Sequence, residues 1–325
     1  EAIEYRDMGI VRRAINLPVR IGPRSAGAEP GPACYGRGGT RPTLTDANLV
    51  LGYLDAGFFL GGVMPLDKAA AEQAITTHVA APLQLETLRA AWGMHDIISE
   101  DVARAFRIHA TERGFDYRAS SMVAFGGSGP LHALSIARKL KIPRVVFPVG
   151  AGVMSALGLL VSPLSFEMAR SRRVHIDDVT PGDFGQTFRA LETEAAQYLL
   201  RAGIAPADVH LVRRLDMRYQ GQGHEIEVAL PAAADAQALF GRLGALFGAA
   251  YQKVYALRLV EPLEIVNWKV EAVGPAPGLG DGYVLTDSVG KGVVLKGTRR
   301  AYDPTRGGLS DWPVYDRYAL RPGMT

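Results

Sequence analysis

Cysteine is almost missing from this sequence: Cys34 is the only one in 325 residues. No disulfide framework and no cysteine-built zinc site can form within the chain. Long hydrophobic runs are missing too. The longest, Val153 to Val161, is far short of the roughly 18 apolar residues that a membrane helix needs, which excludes a helical membrane span. Neither charge sign is in excess, with 36 basic against 33 acidic residues and a formal net charge of +3. The basic residues are scattered apart from short clusters such as Arg170 to Arg173, so no nucleic-acid partner is expected. Glu1 to Gly22 is charged and lacks the apolar core of a signal peptide, which makes a cytoplasmic address the default.

What is present is the balance of a globular protein, 48% hydrophobic and 21% charged. Gly22 to Gly39 holds six glycines and three prolines. Cys34 and Tyr35 among them favour an ordered loop over a linker. Asp67 opens a helix rich in alanine. A second helical stretch runs from about Leu83 to Ile98. Ser99 is placed to cap a third, with Glu100 and Asp101 in its first turn and Gly114 as its stop. Met122–Phe125 and Arg144–Pro148 read as strands, each followed by a glycine turn and a helix. That order implies an α/β layer with parallel strands. After Pro163 the pattern changes to a long helix at Pro181–Ala202, strands at Val209–Gln220 and His224–Leu230, a helix at Ala234–Tyr251 and a strand at Leu263–Val273. This reads as α+β, and the boundary is set near residue 170.

Phe125-Gly-Gly-Ser-Gly-Pro-Leu-His132 is the sharpest local motif. A strand runs through glycines directly into a helix, so backbone can approach a ligand and the helix presents free N–H groups. A nucleotide suits this arrangement; a plain strand–helix turn is the alternative. It is not a Walker loop, since no Gly-Lys-Ser/Thr follows. His132, in the first turn of that helix, is a candidate for ligand contact or proton transfer, or a structural histidine. Arg37 could hold an anion, and Asp46 and Asn48 could ligate Mg²⁺ or position a substrate. Helix capping competes with that role for Asp46. Nothing near Cys34 in sequence supplies a base for a nucleophile. His224 lacks a second ligand at metal spacing and reads as part of a hairpin turn.

Taken together, several segments resemble the hydantoinase A/5-oxoprolinase family. They are Ser25–Gly39, Pro42–Asn48, Leu60–Gly62, Val123–Ala133, Ser155–Leu159, Arg218–Gln222 and Pro313–Arg317, in that order along the chain. The family includes N-methylhydantoinases, 5-oxoprolinases and the nucleotide-handling subunits of acetone and acetophenone carboxylases. The resemblance implies an α/β lobe of the actin/Hsp70/sugar-kinase class over residues 1–170 and an α+β C-terminal domain over 171–325. It implies ATP with Mg²⁺ as cofactors, a small-molecule substrate and a hydantoinase B-type second subunit in a hetero-oligomer. By position and form Gly126, Gly127, Ser128, Gly129 and Pro130 match the family's adenosine turn. Asp46 and His132 are the catalytic candidates, and Arg37 and Asn48 the candidates for substrate or phosphate.

The implied activity is phosphorylation of an amide oxygen in a cyclic amide before ring opening. A ketone carboxylase subunit is the alternative, and a non-catalytic assembly role is a third. The family's N-terminal Asp-Gly-Gly-Thr phosphate loop does not occur here, nor does its second Gly-Gly-Thr-Ser loop. The chain is therefore expected to be the C-terminal part of a longer subunit. An apolar face that would meet the other lobe is expected to be exposed.

Overall fold

The computed structural model describes residues 3–5, 19–232, 236–277, 294–320 and 324. Two compact units divide the chain. One comprises Glu1–His109, Tyr117–Val153 and Val284–Thr325; the other comprises Ala110–Asp116 and Met154–Tyr283. The expected division near residue 170 is not the division of contacts, because the C-terminal segment belongs with the first unit.

The first unit opens with β1 (Ile3–Tyr5) and β2 (Val19–Ile21), an antiparallel pair. Helix α1 (Leu44–Val50) begins earlier than its apolar residues suggest, because Thr43 and Asp46 form a reciprocal capping box. Asp67 caps α2 (Lys68–Ile75) as expected, its carboxylate accepting from Ala70 N. A wide turn over Thr76–Ala80 leads into α3 (Ala81–Leu83). Then comes α4 (Thr87–Glu112), one continuous helix of 26 residues. The expected break at Ser99 is absent. Ser99 is fully buried and its hydroxyl bonds back to the His95 carbonyl at 2.9 Å. That bond is the mid-helix use of serine rather than its capping use. Gly114, at φ +60°, follows the helix as its stop.

β3 (Ser121–Val123), α5 (Gly129–Leu140) and β4 (Arg144–Val146) form the expected parallel unit. Val123 and Val146 pair across the two strands and both are exposed, as is Phe125.

In the second unit α6 (Met154–Val161) is followed by β5 (Ser165–His175), α7 (Pro181–Arg201), β6 (His210–Tyr219) and β7 (Ile226–Leu230). Next come α8 (Ala236–Phe240), α9 (Leu243–Tyr255) and β8 (Leu263–Val273). The start expected at Ala234 lies outside the described residues, and two helices stand where one was expected. The sheet order is β5-β8-β6-β7, antiparallel throughout. One face carries Leu215, Met217, Trp268 and Val270 into a core closed by Phe184 and Phe188 of α7. The alternate residues Arg214, Asp216, Lys269 and Glu271 pair on the other face, which is the period-two logic of a half-buried sheet. The mixed α/β class expected from the sequence is what the chain adopts.

The hairpin β9 (Leu295–Asp303) and β10 (Gly308–Tyr315) returns to the first unit. Tyr302 N donates to Leu51 O at 2.8 Å, and Tyr53 Oη donates to Tyr302 O at 3.1 Å. Gly52 makes this approach possible. It sits at φ +75°, and a Cβ there would lie 2.2 Å from the Arg300 carbonyl oxygen. Gly52→Ala is therefore expected to destabilise the protein by about 2–3 kcal/mol through backbone strain and overlap. A thermal melt indistinguishable from wild type would show that the hairpin yields freely.

Candidate functional site

The Gly126–Pro130 turn lies at the carboxyl end of β3, beside the parallel strand β4, and leads into α5. In open α/β sheets ligands bind outside the carboxyl ends of the strands. Two bonds set the turn against its neighbour: Ala124 N donates to Val146 O at 2.8 Å, and Gly126 N to Ala151 O at 2.8 Å. Gly126 needs glycine for its own conformation, φ +90°. Gly127 and Gly129 do not. Neither has a positive φ, and a Cβ at either position would meet nothing within 4 Å. Gly127, Ser128 and Gly129 are exposed, and the Ser128 side chain makes no capping bond at the start of α5. Packing among the described residues gives no reason for glycine at 127 and 129.

Behind the turn lies a buried polar ring. His95 Nδ1 lies 2.8 Å from Asn48 Oδ1, and Asn48 Nδ2 lies 3.4 Å from His132 Nε2. His132 Nδ1 lies 3.2 Å from Ser99 Oγ, which donates to the His95 carbonyl. The amide fixes the proton positions. Its oxygen accepts, so His95 carries its proton on Nδ1. Its nitrogen donates, so His132 accepts at Nε2 and carries its proton on Nδ1, donating to Ser99. His132, which accepts at Nε2, is then neutral. Burial agrees with this, pushing His132 down to about 4 and His95 down to about 3. His132 and the Lys139 ammonium add to the effect of burial at His95.

The rings also form a column. His132 stacks on His95 at 4.2 Å, His95 on Trp92 at 5.4 Å, and Trp92 on Tyr302 at 5.0 Å. Tyr53 meets His95 edge-on. Burial raises the Tyr53 phenol to about 12, leaving it a donor at neutral pH. The column runs from the first turn of α5 through α4 to β9.

Asp46 is fully buried at the start of α1. Its Oδ1 accepts from Cys34 N at 2.8 Å; its Oδ2 accepts from Thr43 N and Thr43 Oγ1 at 2.7 Å each and from Ala33 N at 3.3 Å. Burial, and then the Asp46 carboxylate, push the Cys34 thiol well above its usual range, so it is no nucleophile at neutral pH. Arg37 is exposed. His224 is exposed in the turn between β6 and β7, and among the described residues no group of three or more His, Cys, Asp or Glu is placed to hold a metal. The neighbouring Gln222 is structural, its amide donating to Tyr251 Oη at 2.8 Å.

The structure thus brings Asn48 and His132 together, as two candidates from distant segments, and leaves Arg37 on the surface. Sequence reasoning expected catalysis at Asp46 and His132. Both side chains have every polar atom engaged within the protein. His95 was missed altogether, and Ser99 was read as a cap. The signal for both was the four-residue stripe Ala91, His95, Ser99 and Ala103, all fully buried on α4.

Comparison with known proteins gives this geometry its family. The family model described as hydantoinase/oxoprolinase matches residues 9–168, and the hydantoinase/oxoprolinase C-terminal domain matches residues 180–263. The chain is 33% identical over 328 residues to the acetophenone carboxylase gamma subunit of Aromatoleum aromaticum, covering 94% of this chain and 43% of that one. It is 34% identical over 215 residues to the caprolactamase subunit alpha of Pseudomonas jessenii, covering 65% and 31%. The crystal structure of the ATP-dependent caprolactamase from Pseudomonas jessenii superposes with a TM-score of 0.68 at 29% identity, over 98% of this chain and 46% of that one. The chain therefore spans less than half the length of these relatives. It belongs to the hydantoinase/oxoprolinase family.

Proposed function

We propose that the chain is part of an ATP-dependent amidohydrolase subunit of hydantoinase/oxoprolinase type, its first unit contributing to an actin-like lobe. The observation that carries this reading is the open glycine turn. Gly127 and Gly129 stand at the carboxyl end of a parallel strand pair, and packing among the described residues gives no reason for glycine there. The residues fit a nucleotide: Gly126–Pro130 offer backbone that adenosine can approach closely, at the N-terminal end of α5. When bound, ATP supplies the phosphoryl group that turns a poor amide electrophile into a reactive one. The chain's own residues position it. Asp46 holds the Ala33–Cys34 turn ahead of the exposed Arg37, which is the candidate for substrate or phosphate. Asn48 and His132 hold α5 from behind the turn. Mg²⁺ enters this reading as the counter-ion of the phosphates, where positioning and charge stabilisation do most of the work.

The caprolactamase relative, described as ATP-dependent, supports a cyclic amide as the substrate class. The carboxylase relative supports a second reading, the nucleotide-handling subunit of a ketone carboxylase. In either case a hydantoinase B-type subunit completes a cytoplasmic hetero-oligomer. ATP-dependent phosphate release, measured with that subunit present, separates the two. Stimulation by 5-oxoproline or a hydantoin supports the first, and stimulation by a ketone with bicarbonate the second.

Gly127→Val tests the glycine turn. A Cβ at this position meets no described atom within 4 Å, so the fold is expected to survive. Nucleotide affinity is expected to fall by up to about 100-fold, since forcing a side chain into a close contact costs about 1–3 kcal/mol and every ~1.4 kcal/mol is tenfold. Normal ATP affinity in the variant would reduce the turn to a connection.

A further inference from the structure

The polar ring behind the turn is built from α1, α4 and α5, and all four of its side chains are buried: Asn48, His95, Ser99 and His132. Apolar side chains of the same volume would fill this space with no desolvation to offset, so the polar choice needs a reason. Directionality supplies one. Each hydrogen bond in the ring fixes the proton position of the next, and only one arrangement satisfies them all. Apolar packing lets a helix rotate or slide slightly; this ring does not. His132 sits in the first turn of α5, three residues beyond Gly129, so the ring fixes the part of α5 that carries the glycine turn.

His95 is the member with least to gain for itself. Its Nε2 is buried and meets no partner among the described residues. Leaving a polar atom so placed is unfavourable. The return comes from the other nitrogen: Nδ1–H orients the Asn48 amide, and only that orientation turns Nδ2 towards His132.

We propose that His95 is a positioning residue for the Gly126–Pro130 turn, acting through Asn48 and His132 without touching a ligand. The role rests on the nucleotide reading of that turn. His95→Phe keeps a flat ring in the stack but removes the donor. Asn48 Oδ1 then lacks a partner, the amide is free to flip, and His132 loses its fixed donor. His95→Asn keeps an N–H near the position of Nδ1.

Affinity is read by fluorescence of trinitrophenyl-ATP bound to the full polypeptide. His95→Phe is expected to weaken binding about tenfold, and His95→Asn to stay within about twofold of wild type. Equal affinity in His95→Phe and wild type overturns the proposal, as does equal loss in both variants. Gly127→Val is the separate control: if it binds the probe normally, the nucleotide reading fails and the positioning role falls with it. Imidazole ¹⁵N spectra of the wild-type protein give a measurement that needs no variant to fold. His95 and His132 are both expected with the proton on Nδ1. A proton on Nε2 of His132 would mean that Asn48 does not donate to it, and the coupling would be lost.

Discussion

Asp46→Ala is expected to lower the unfolding free energy by about 4 kcal/mol, because three backbone N–H groups and one hydroxyl lose their acceptor at once. The groups are Ala33 N, Cys34 N, Thr43 N and Thr43 Oγ1. Ala33, Cys34 and Thr43 are themselves buried, so water cannot easily take the place of the carboxylate. The capping box at the start of α1 is lost in the same step. Its own contribution is about 1 kcal/mol. Asp46→Asn should fall between the two, since the amide keeps one acceptor oxygen. Urea unfolding followed by tryptophan fluorescence measures all three proteins. A loss under about 1 kcal/mol in Asp46→Ala would show that the loop does not depend on the carboxylate. A stable but inactive Asp46→Ala would support Asp46 as a catalytic residue.

This result bears on what the sequence could reveal. Local signals were legible because they are local. Asp67 before an alanine run, Gly114 after α4, and the strand–glycine–helix order at Met122–Leu140 each specify their element within a few residues. The strand at Leu263–Val273 was equally clear, its buried Trp268, Val270 and Ala272 alternating with polar residues. β5 was not. Arg170 to Arg173 looks like a surface cluster, and it is one, but it lies on an edge strand held by backbone pairing to β8. Only Phe166, Met168 and Val174 on that strand pack against the core.

The remaining misses were long-range. Nothing near Tyr302 announces that it will bond to Leu51 or stack on Trp92, since both partners lie more than two hundred residues away. Ser99 followed by Glu100 and Asp101 has the composition of a helix start. Tertiary burial overrode it, because a side chain inside the unit gains more from closing a polar ring than from capping. At the site, the glycine turn was visible as a motif. The coordinates separate Gly126, required by its φ, from Gly127 and Gly129, required by nothing among the described residues.

Acid should expose the histidine pair. Both imidazoles are neutral in the folded protein, with His132 depressed to about 4 and His95 to about 3. In the unfolded chain both would titrate near about 6.5. Between those values the unfolded state binds protons that the folded state refuses, so folding stability rises with pH. It is unaffected by this pair above the unfolded value and is lost as pH falls below it. Each histidine is expected to contribute a slope of about 1.4 kcal/mol per pH unit between about pH 6 and pH 4. Carboxylates titrate over part of the same range, so the comparison must be differential. His95→Asn keeps the donor to Asn48 and cannot be protonated. Its stability, from urea unfolding at pH 7, 6, 5 and 4, should fall less steeply than wild type by about 1.4 kcal/mol per unit. The Lys139 ammonium, which helps keep His95 neutral, is retained in both proteins and cancels. Equal slopes would mean that His95 is protonated in the folded state, which the donor it presents to Asn48 on Nδ1 alone does not require and its burial opposes.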